Sequence, residues 1–227
     1  MGAVSRFPFG FCPIHIKQNT MKTLLRIDCS ARKLGSHSRE LADYFEARWK
    51  QSNPEGCVVH RDLTREQLPH IQNNTIEGFH VSQHEADVHQ KNAVALSDRL
   101  INELKKADEV VVSSPLYNLN VPSNLKAYMD QVVRAGHTFG MDEQGYHGLL
   151  QNKKVFLITS KGGVYKNTPM EKLDFQEPYL KAIFGHMGIT DVETFSLEGT
   201  AHQNLADKNK KTLQLAIDST LKMTTNE

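Results

Sequence analysis

The chain has no long apolar run, no imbalance of charge and few cysteines, and each absence removes a class of function. No stretch approaches the ~20 apolar residues of a membrane-spanning helix. Lysine and arginine number 27 against 26 aspartates and glutamates, a formal net charge of +1, so nothing points to nucleic acid or to an anionic membrane surface. The three cysteines, Cys12, Cys29 and Cys57, form neither a CxxC pair nor an even framework. That usage suits a reduced, cytoplasmic compartment. Neither the GxGxxG fingerprint nor a P-loop glycine motif occurs. A chain of 227 residues buries one sizeable core and is too short for two ordinary α/β domains.

Residues 1–20, MGAVSRFPFGFCPIHIKQNT, carry no periodicity, and Pro8, Pro13 and His15 interrupt their weak apolar clusters. They read as a flexible extension ahead of a second methionine, Met21, with an organellar presequence as the sharper alternative. From 21 to 227 the pattern alternates strand and helix. Apolar runs predict strands at Leu24–Ile27, Val58–Val59 (weaker), Val110–Val112, Val155–Ile158 and Val192–Phe195. Helical spacing predicts helices over Ser38–Trp49, Ala93–Leu104, from Ser123 onward, around Pro178–Phe184 and over Ala206–Leu221. Five strands alternating with helices imply an α/β doubly wound sandwich with a five-stranded parallel sheet. The segment Leu63–Gln90 is polar and reads as a solvated insertion. Its histidines, with His60, lack a partnering carboxylate or cysteine constellation, so no metal site is expected. The insertion's length and position also suit a lid over a substrate entrance or a dimer contact.

Three loops end on one rim of such a sheet, where open α/β sheets bind ligands. Cys29-Ser30-Ala31-Arg32-Lys33-Leu34-Gly35-Ser36-His37-Ser38 leads into the first long helix. A helix N-terminus with nearby hydroxyls suits phosphate; the plainer reading makes Ser36 or Ser38 an ordinary cap. Pro115 ends the third strand, since it cannot donate a ladder hydrogen bond. Leu116-Tyr117-Asn118-Leu119 follows, offering an apolar wall and backbone groups for the edge of a flat heterocycle. The alternative is an asparagine turn satisfying its own backbone. Ser123 then caps the next helix. The third loop, Ser160-Lys161-Gly162-Gly163, has paired glycines that permit positive φ and leave amide donors free, or that simply form a flexible turn. A phosphate site, a planar-ring site and amide donors on one rim together describe a flavin mononucleotide.

The segments SPLYNLNVPSNLKAYMD, RAGHTF and ITSKGGVY, with RIDCSARKLGSHSREL before them and GITDVETFSLEGTAH after, closely resemble the FMN-dependent NADH-azoreductase family, also called NADH:quinone oxidoreductases, of flavodoxin-like fold. The similarity runs from about Lys22 to His202. It implies that residues 21–227 form a flavodoxin-like FMN-binding domain, that the protein is a homodimer with active sites at the interface, and that NADH or NADPH reduces FMN, which then reduces a quinone or azo compound. By the same resemblance Ser30, Ser36, His37 and Ser38 hold the phosphate, Leu116, Tyr117, Asn118 and Leu119 line the ring, and Ser160, Lys161, Gly162 and Gly163 meet its pyrimidine side. No catalytic side chain is implied, because the flavin carries the chemistry. The chain departs from the family at Leu119, where an aromatic is common, at Lys161, where arginine is frequent, and at His37, where an uncharged polar residue is usual. A Lys161 charge beside the ring predicts that Lys161→Glu slows turnover more than it weakens folding.

Two other readings remain. Cys29 stands where a low-molecular-weight tyrosine phosphatase has its nucleophile, but the arginine of C-x5-R is replaced by Gly35. A non-catalytic flavodoxin-like electron carrier fits the same loops, although such carriers usually have an acidic surface.

Overall fold

Apolar runs bounded by turn residues become strands here because both of their faces find cover. The computed structural model describes residues 21–82 and 84–223; the extension at 1–20 lies outside the described residues. In chain order the elements are β1 (Thr23–Asp28), α1 (His37–Ser52), β2 (Cys57–Asp62), α2 (Asn73–Phe79), α3 (Val88–Lys106), β3 (Glu109–Pro115), α4 (Ser123–Val132), β4 (Phe139–Asp142), β5 (Gly145–Gly148), β6 (Lys154–Ser160), a 3₁₀ turn (Glu171–Leu173), α5 (Gln176–His186), β7 (Asp191–Leu197) and α6 (Gln203–Met223). The main sheet has the order β2-β1-β3-β6-β7 and is parallel throughout, the five-stranded doubly wound arrangement expected. None of the described helices is long and apolar enough to cross a membrane.

Side chains alternate across the sheet. Leu25, Ile27, Val110, Val112, Val155 and Leu157 pack with α3, α4 and α5. Leu24, Val111, Phe156, Ile158 and Phe195 pack with Phe45 and Trp49 of α1 and Ile217 of α6. Such complete burial contributes about 1.5–3 kcal/mol per large apolar side chain. Strand β2 is half-buried at the sheet edge, hence its weaker apolar signal.

The structure differs from the sequence expectations in four places. Helix α3 begins at Val88 and not Ala93, because Asp87 and Gln90 form a reciprocal cap: Gln90 N–H donates to Asp87 Oδ1 at 2.8 Å and Asp87 N–H to Gln90 Oε1 at 2.9 Å. Helix α4 is capped by Pro122 and not Ser123, which is its first helical residue and makes no cap bond; the Pro122 carbonyl accepts from Leu125 and Lys126. The segment 63–90 is not simply solvated, since Leu63 and Leu68 enter the core and Phe79 at the end of α2 lies 4.8 Å from the Arg134 guanidinium. His60, His70, His80, His84 and His89 are all exposed. Finally, β4 and β5 form an antiparallel hairpin with too few apolar residues to register as strands. It docks where Gly148 meets Gly188 and Phe139 packs on His186, ring centroids 4.4 Å apart.

Candidate functional site

The three loops meet at the carboxyl ends of β1, β3 and β6, whose registers place Asp28 beside Ser113 and Pro115 beside Ser160. Leu116 N–H donates to Ser160 O at 2.8 Å, joining the second loop to the third. Asn124 Nδ2 donates to Cys29 O at 2.9 Å, joining α4 to the first. All twelve residues selected from the sequence lie in these loops or at the start of α1.

Gly35 turns the first loop at φ +64°, a conformation that favours glycine. Ser36 takes the extended N-cap conformation of α1, yet its hydroxyl caps nothing and sits 3.4 Å from Ser38 Oγ. The plain capping reading therefore fails at Ser36. The N–H groups of His37, Ser38 and Arg39 donate to no acceptor among the described residues, which leaves the positive end of a 16-residue helix open. Ser30, Ser36 and Ser38 are buried around it. Ser113 Oγ, buried and unpartnered among the described residues, lies two residues before the end of β3 on the sheet face that α1 covers; sequence reasoning missed it, since a serine late in a strand has no distinguishing pattern.

Arg39 holds this loop in place. Its Nη2 donates to Ser30 O at 2.8 Å and to Asp62 Oδ1 at 2.8 Å, and its Nη1 to Asp62 Oδ2 at 3.1 Å. Burial works against the Asp62 charge, but the bonds from Arg39 and from Thr64 N–H and hydroxyl outweigh it and take this carboxyl down to about 2. Cys29, at the end of β1, is buried, and burial with Asp28 nearby pushes its thiol well above the ordinary range. Such a thiol is not a ready nucleophile, so the phosphatase reading loses its central group.

The second loop is a tight turn. Tyr117 N–H donates to Asn120 O at 2.9 Å and Asn120 N–H to Tyr117 O at 3.0 Å, with Asn118 at φ +48° and Leu119 at φ +69°. Left-handed backbone is tolerable for asparagine but costs a leucine about 1–2 kcal/mol. The self-satisfying asparagine is Asn120, whose Oδ1 accepts from Val121 N–H at 2.7 Å. The amides of Asn118 and Leu119 and the Asn118 side chain bond to nothing among the described residues. Tyr117, Asn118 and Val121 line a cleft of about 460 Å³ together with Lys126 and Tyr179.

The third loop corrects two expectations. Neither Gly162 nor Gly163 has positive φ. What marks Gly162 is space, since a Cβ there would touch nothing within 4 Å. Their carbonyls accept from Ala201 and Gly199 at 3.1 and 2.9 Å, while their N–H groups have no acceptor among the described residues. The Lys161 side chain does not reach toward this space. Its ammonium is buried among Asp174 at 2.5 Å, Glu177 at 2.6 Å and Glu198 at 3.4 Å. Burial opposes the charge, and the carboxylates overcome it, so the lysine pKa is raised and that of Glu177 lowered. Lys161→Glu would therefore attack folding first, the reverse of the sequence expectation.

The family model of the flavodoxin-like fold matches residues 21–221. Over 174 residues the chain is 47% identical to the FMN-dependent NADH:quinone oxidoreductase of a Nostoc species, covering 76% of this chain and 84% of that one. The chain belongs to the flavodoxin-like family of FMN-dependent NADH:quinone oxidoreductases. Another member, from Hydrogenovibrio crunogenus, is 40% identical over 80% of this chain and 90% of its own length. Among solved structures, the azoreductase from Bacillus anthracis superposes with a TM-score of 0.80 at 29% identity, covering 88% of this chain and all of that one.

Proposed function

We propose that this protein is an FMN-dependent NADH:quinone oxidoreductase that also reduces azo compounds, with residues 21–227 as its FMN-binding domain. The observation that carries the reading is the set of unbonded backbone donors on one rim: His37, Ser38 and Arg39 at the start of α1, Asn118 and Leu119 in the turn, and Gly162 and Gly163 after β6. At the start of α1, where Ser30, Ser36 and Ser38 are buried, amides are rarely left without acceptors unless a ligand supplies them. Those of Asn118, Gly162 and Gly163 are exposed and open to a ligand that displaces water. The donor set fits FMN: seven N–H groups and the hydroxyls of Ser30, Ser36 and Ser38 face acceptor-rich groups, with Tyr117 and Leu119 as apolar surface. Bound there, FMN supplies two-electron transfer from NADH, or alternatively NADPH, to a quinone or azo acceptor.

The residues of the chain then have distinct tasks. Ser30, Ser36, His37 and Ser38 take the phosphate at the positive end of α1. Leu116, Tyr117, Asn118 and Leu119 line the ring and exclude water from one edge. Gly162 and Gly163 offer N–H donors where negative charge develops, beside Ser160, whose carbonyl holds Leu116 N–H; donors already in place need no reorganisation. Lys161 contributes its backbone to that loop, not its charge. The exposed apolar side chains of Tyr117, Val164, Met170 and Phe175 near the site support a homodimer with the site at its interface. The free thiols Cys29 and Cys57 suit a cytoplasmic location.

The test is an anaerobic absorbance titration of the purified protein with FMN, then NADH, then benzoquinone. Flavin bands that bleach with NADH and return with quinone are expected. No FMN binding would overturn the cofactor assignment, and binding without bleaching would make the protein an electron carrier.

A further inference from the structure

The Asn118–Leu119 turn holds a left-handed conformation that Leu119 does not favour, and a segment far along the chain supplies what holds it. Residues 174–176, which lead from the 3₁₀ turn into the first residue of α5, are fixed at three successive positions. Asp174 Oδ2 accepts from Lys161 Nζ at 2.5 Å. Phe175 N–H donates to Leu119 O at 3.0 Å. Gln176 Nε2 donates to Pro115 O at 2.7 Å and Ser114 Oγ at 3.0 Å, docking the start of α5 on the end of β3. Asp174 Oδ1 meanwhile accepts the Gln176 and Glu177 N–H groups at 3.0 and 3.4 Å, so the same carboxylate sets the first turn of α5.

We propose that Lys161 and Asp174 are positioning residues: the Lys161–Asp174 pair clamps Phe175 against Leu119, holds the strained turn, and thereby fixes the ring-side amides of Asn118 and Leu119 relative to those of Gly162 and Gly163. The reason lies in connectivity. Lys161 is adjacent in the chain to Gly162, and Asp174 is adjacent to Phe175, so one buried ion pair spans both ring-side loops. Glu198 ties in a third segment: it approaches Lys161 Nζ at 3.4 Å and accepts from Tyr165 N–H at 2.9 Å. Strained backbone persists only where its surroundings over-determine it. Here the mutual Tyr117–Asn120 bonds alone would leave the turn a local hairpin free to relax, and the Phe175 contact is the bond to Leu119 from outside. The inference rests on the flavin reading only for the ligand that these amides meet.

The experiment compares wild type with Asp174→Asn, Lys161→Met and Lys161→Arg. Asp174→Asn keeps the Oδ1 acceptor for α5 while removing the charge that faces Lys161, so it tests the clamp even where Lys161→Met fails to fold. Hydrogen exchange of the Tyr117 and Asn120 amides is followed in the full-length, flavin-free protein. Asp174→Asn and Lys161→Met should speed it about tenfold, the size expected for one charge-assisted hydrogen bond. In Asp174→Asn, exchange at Val111 and Leu157 in the central strands should rise less than at Tyr117 and Asn120, and Lys161→Arg should behave as wild type throughout. Unchanged exchange at Tyr117 and Asn120 overturns the clamp, as does an equal rise at the central strands, which would mark general destabilisation. In parallel, FMN and riboflavin are titrated by flavin fluorescence. Both dissociation constants should rise by the same factor, about tenfold, because the clamp acts on ring-side donors and not on the phosphate loop. A loss confined to FMN overturns it. If wild type binds no flavin at all, the proposed function falls and the exchange measurement alone decides the clamp.

Discussion

Asp62→Asn gives a test of how the phosphate-side loop is held. In the wild type this carboxylate accepts four hydrogen bonds, two from Arg39 at 2.8 and 3.1 Å and two from Thr64 at 2.8 and 3.0 Å. Its pKa falls from an ordinary 3.8 to about 2. At 1.36 kcal/mol per pKa unit, full realisation of that difference gives about 2.4 kcal/mol of stability at neutral pH. The side chain is 16% exposed and the pair lies at the protein surface, so solvent screening brings the expectation to about 1–2 kcal/mol.

The pH dependence gives the sign. A carboxyl whose folded pKa lies below its unfolded value stabilises above the unfolded pKa, and that stability is lost as pH falls through the folded pKa. Urea unfolding at pH 7 should thus show Asp62→Asn less stable than wild type by about 1–2 kcal/mol. The gap should close between pH 4 and pH 2 as the wild-type carboxyl takes up its proton. Other carboxylates titrate in both proteins and cancel in the difference. A gap of the same size at pH 7 and pH 2.5, or none at pH 7, would refute the assignment of the Arg39 pair as the cause.

Three further outcomes follow from the geometry. Gly148→Ala would place its Cβ 2.0 Å from Gly188 N, a backbone clash that no side chain can relieve; urea unfolding should show a loss of about 1–3 kcal/mol, and a wild-type midpoint would contradict the docking of the hairpin. Gly35→Ala, at φ +64°, should cost about 1–2 kcal/mol and weaken FMN more than riboflavin in a fluorescence titration, since the strain falls on the phosphate loop; equal losses would count against that loop. Lys161→Glu would put a fourth carboxylate into a buried cluster and remove its one cation. It should lose about 3–5 kcal/mol, read as a lower thermal midpoint, and a normal midpoint with slow flavin reduction would restore the charge-beside-the-ring reading.

The sheet was readable because its central strands are buried on both faces, which forces continuous apolar runs such as Val110–Val112 and Val155–Ile158. Periodicity fails where a helix or strand is built from polar residues. The first turn of α3 depends on Asp87 and Gln90 bonding each other's backbone, and hydrophobic spacing does not register that. An Asp three residues before a Gln is a capping signal that could have found it. The β4–β5 hairpin depends on two glycines that let backbones touch at Gly148 and Gly188, a contact between segments that share no local pattern.

The site divides along the same line. The meeting of the three loops was readable because topology alone brings the ends of β1, β3 and β6 to one rim, and the residues chosen there are local to those loops. The direction of the Lys161 side chain was not, because its three carboxylates come from the start of α5, from α5 itself and from the end of β7. A lysine next to two glycines looks like a ligand-binding charge until those partners are placed. Leu119 gives the converse case. Intrinsic preference argues against left-handed backbone at leucine, so the residue type misdirects unless the bond from Phe175 is known. Both cases share a cause. Local sequence reports what a loop prefers, whereas a binding loop is held in a conformation it does not prefer by contacts that only the closed fold supplies.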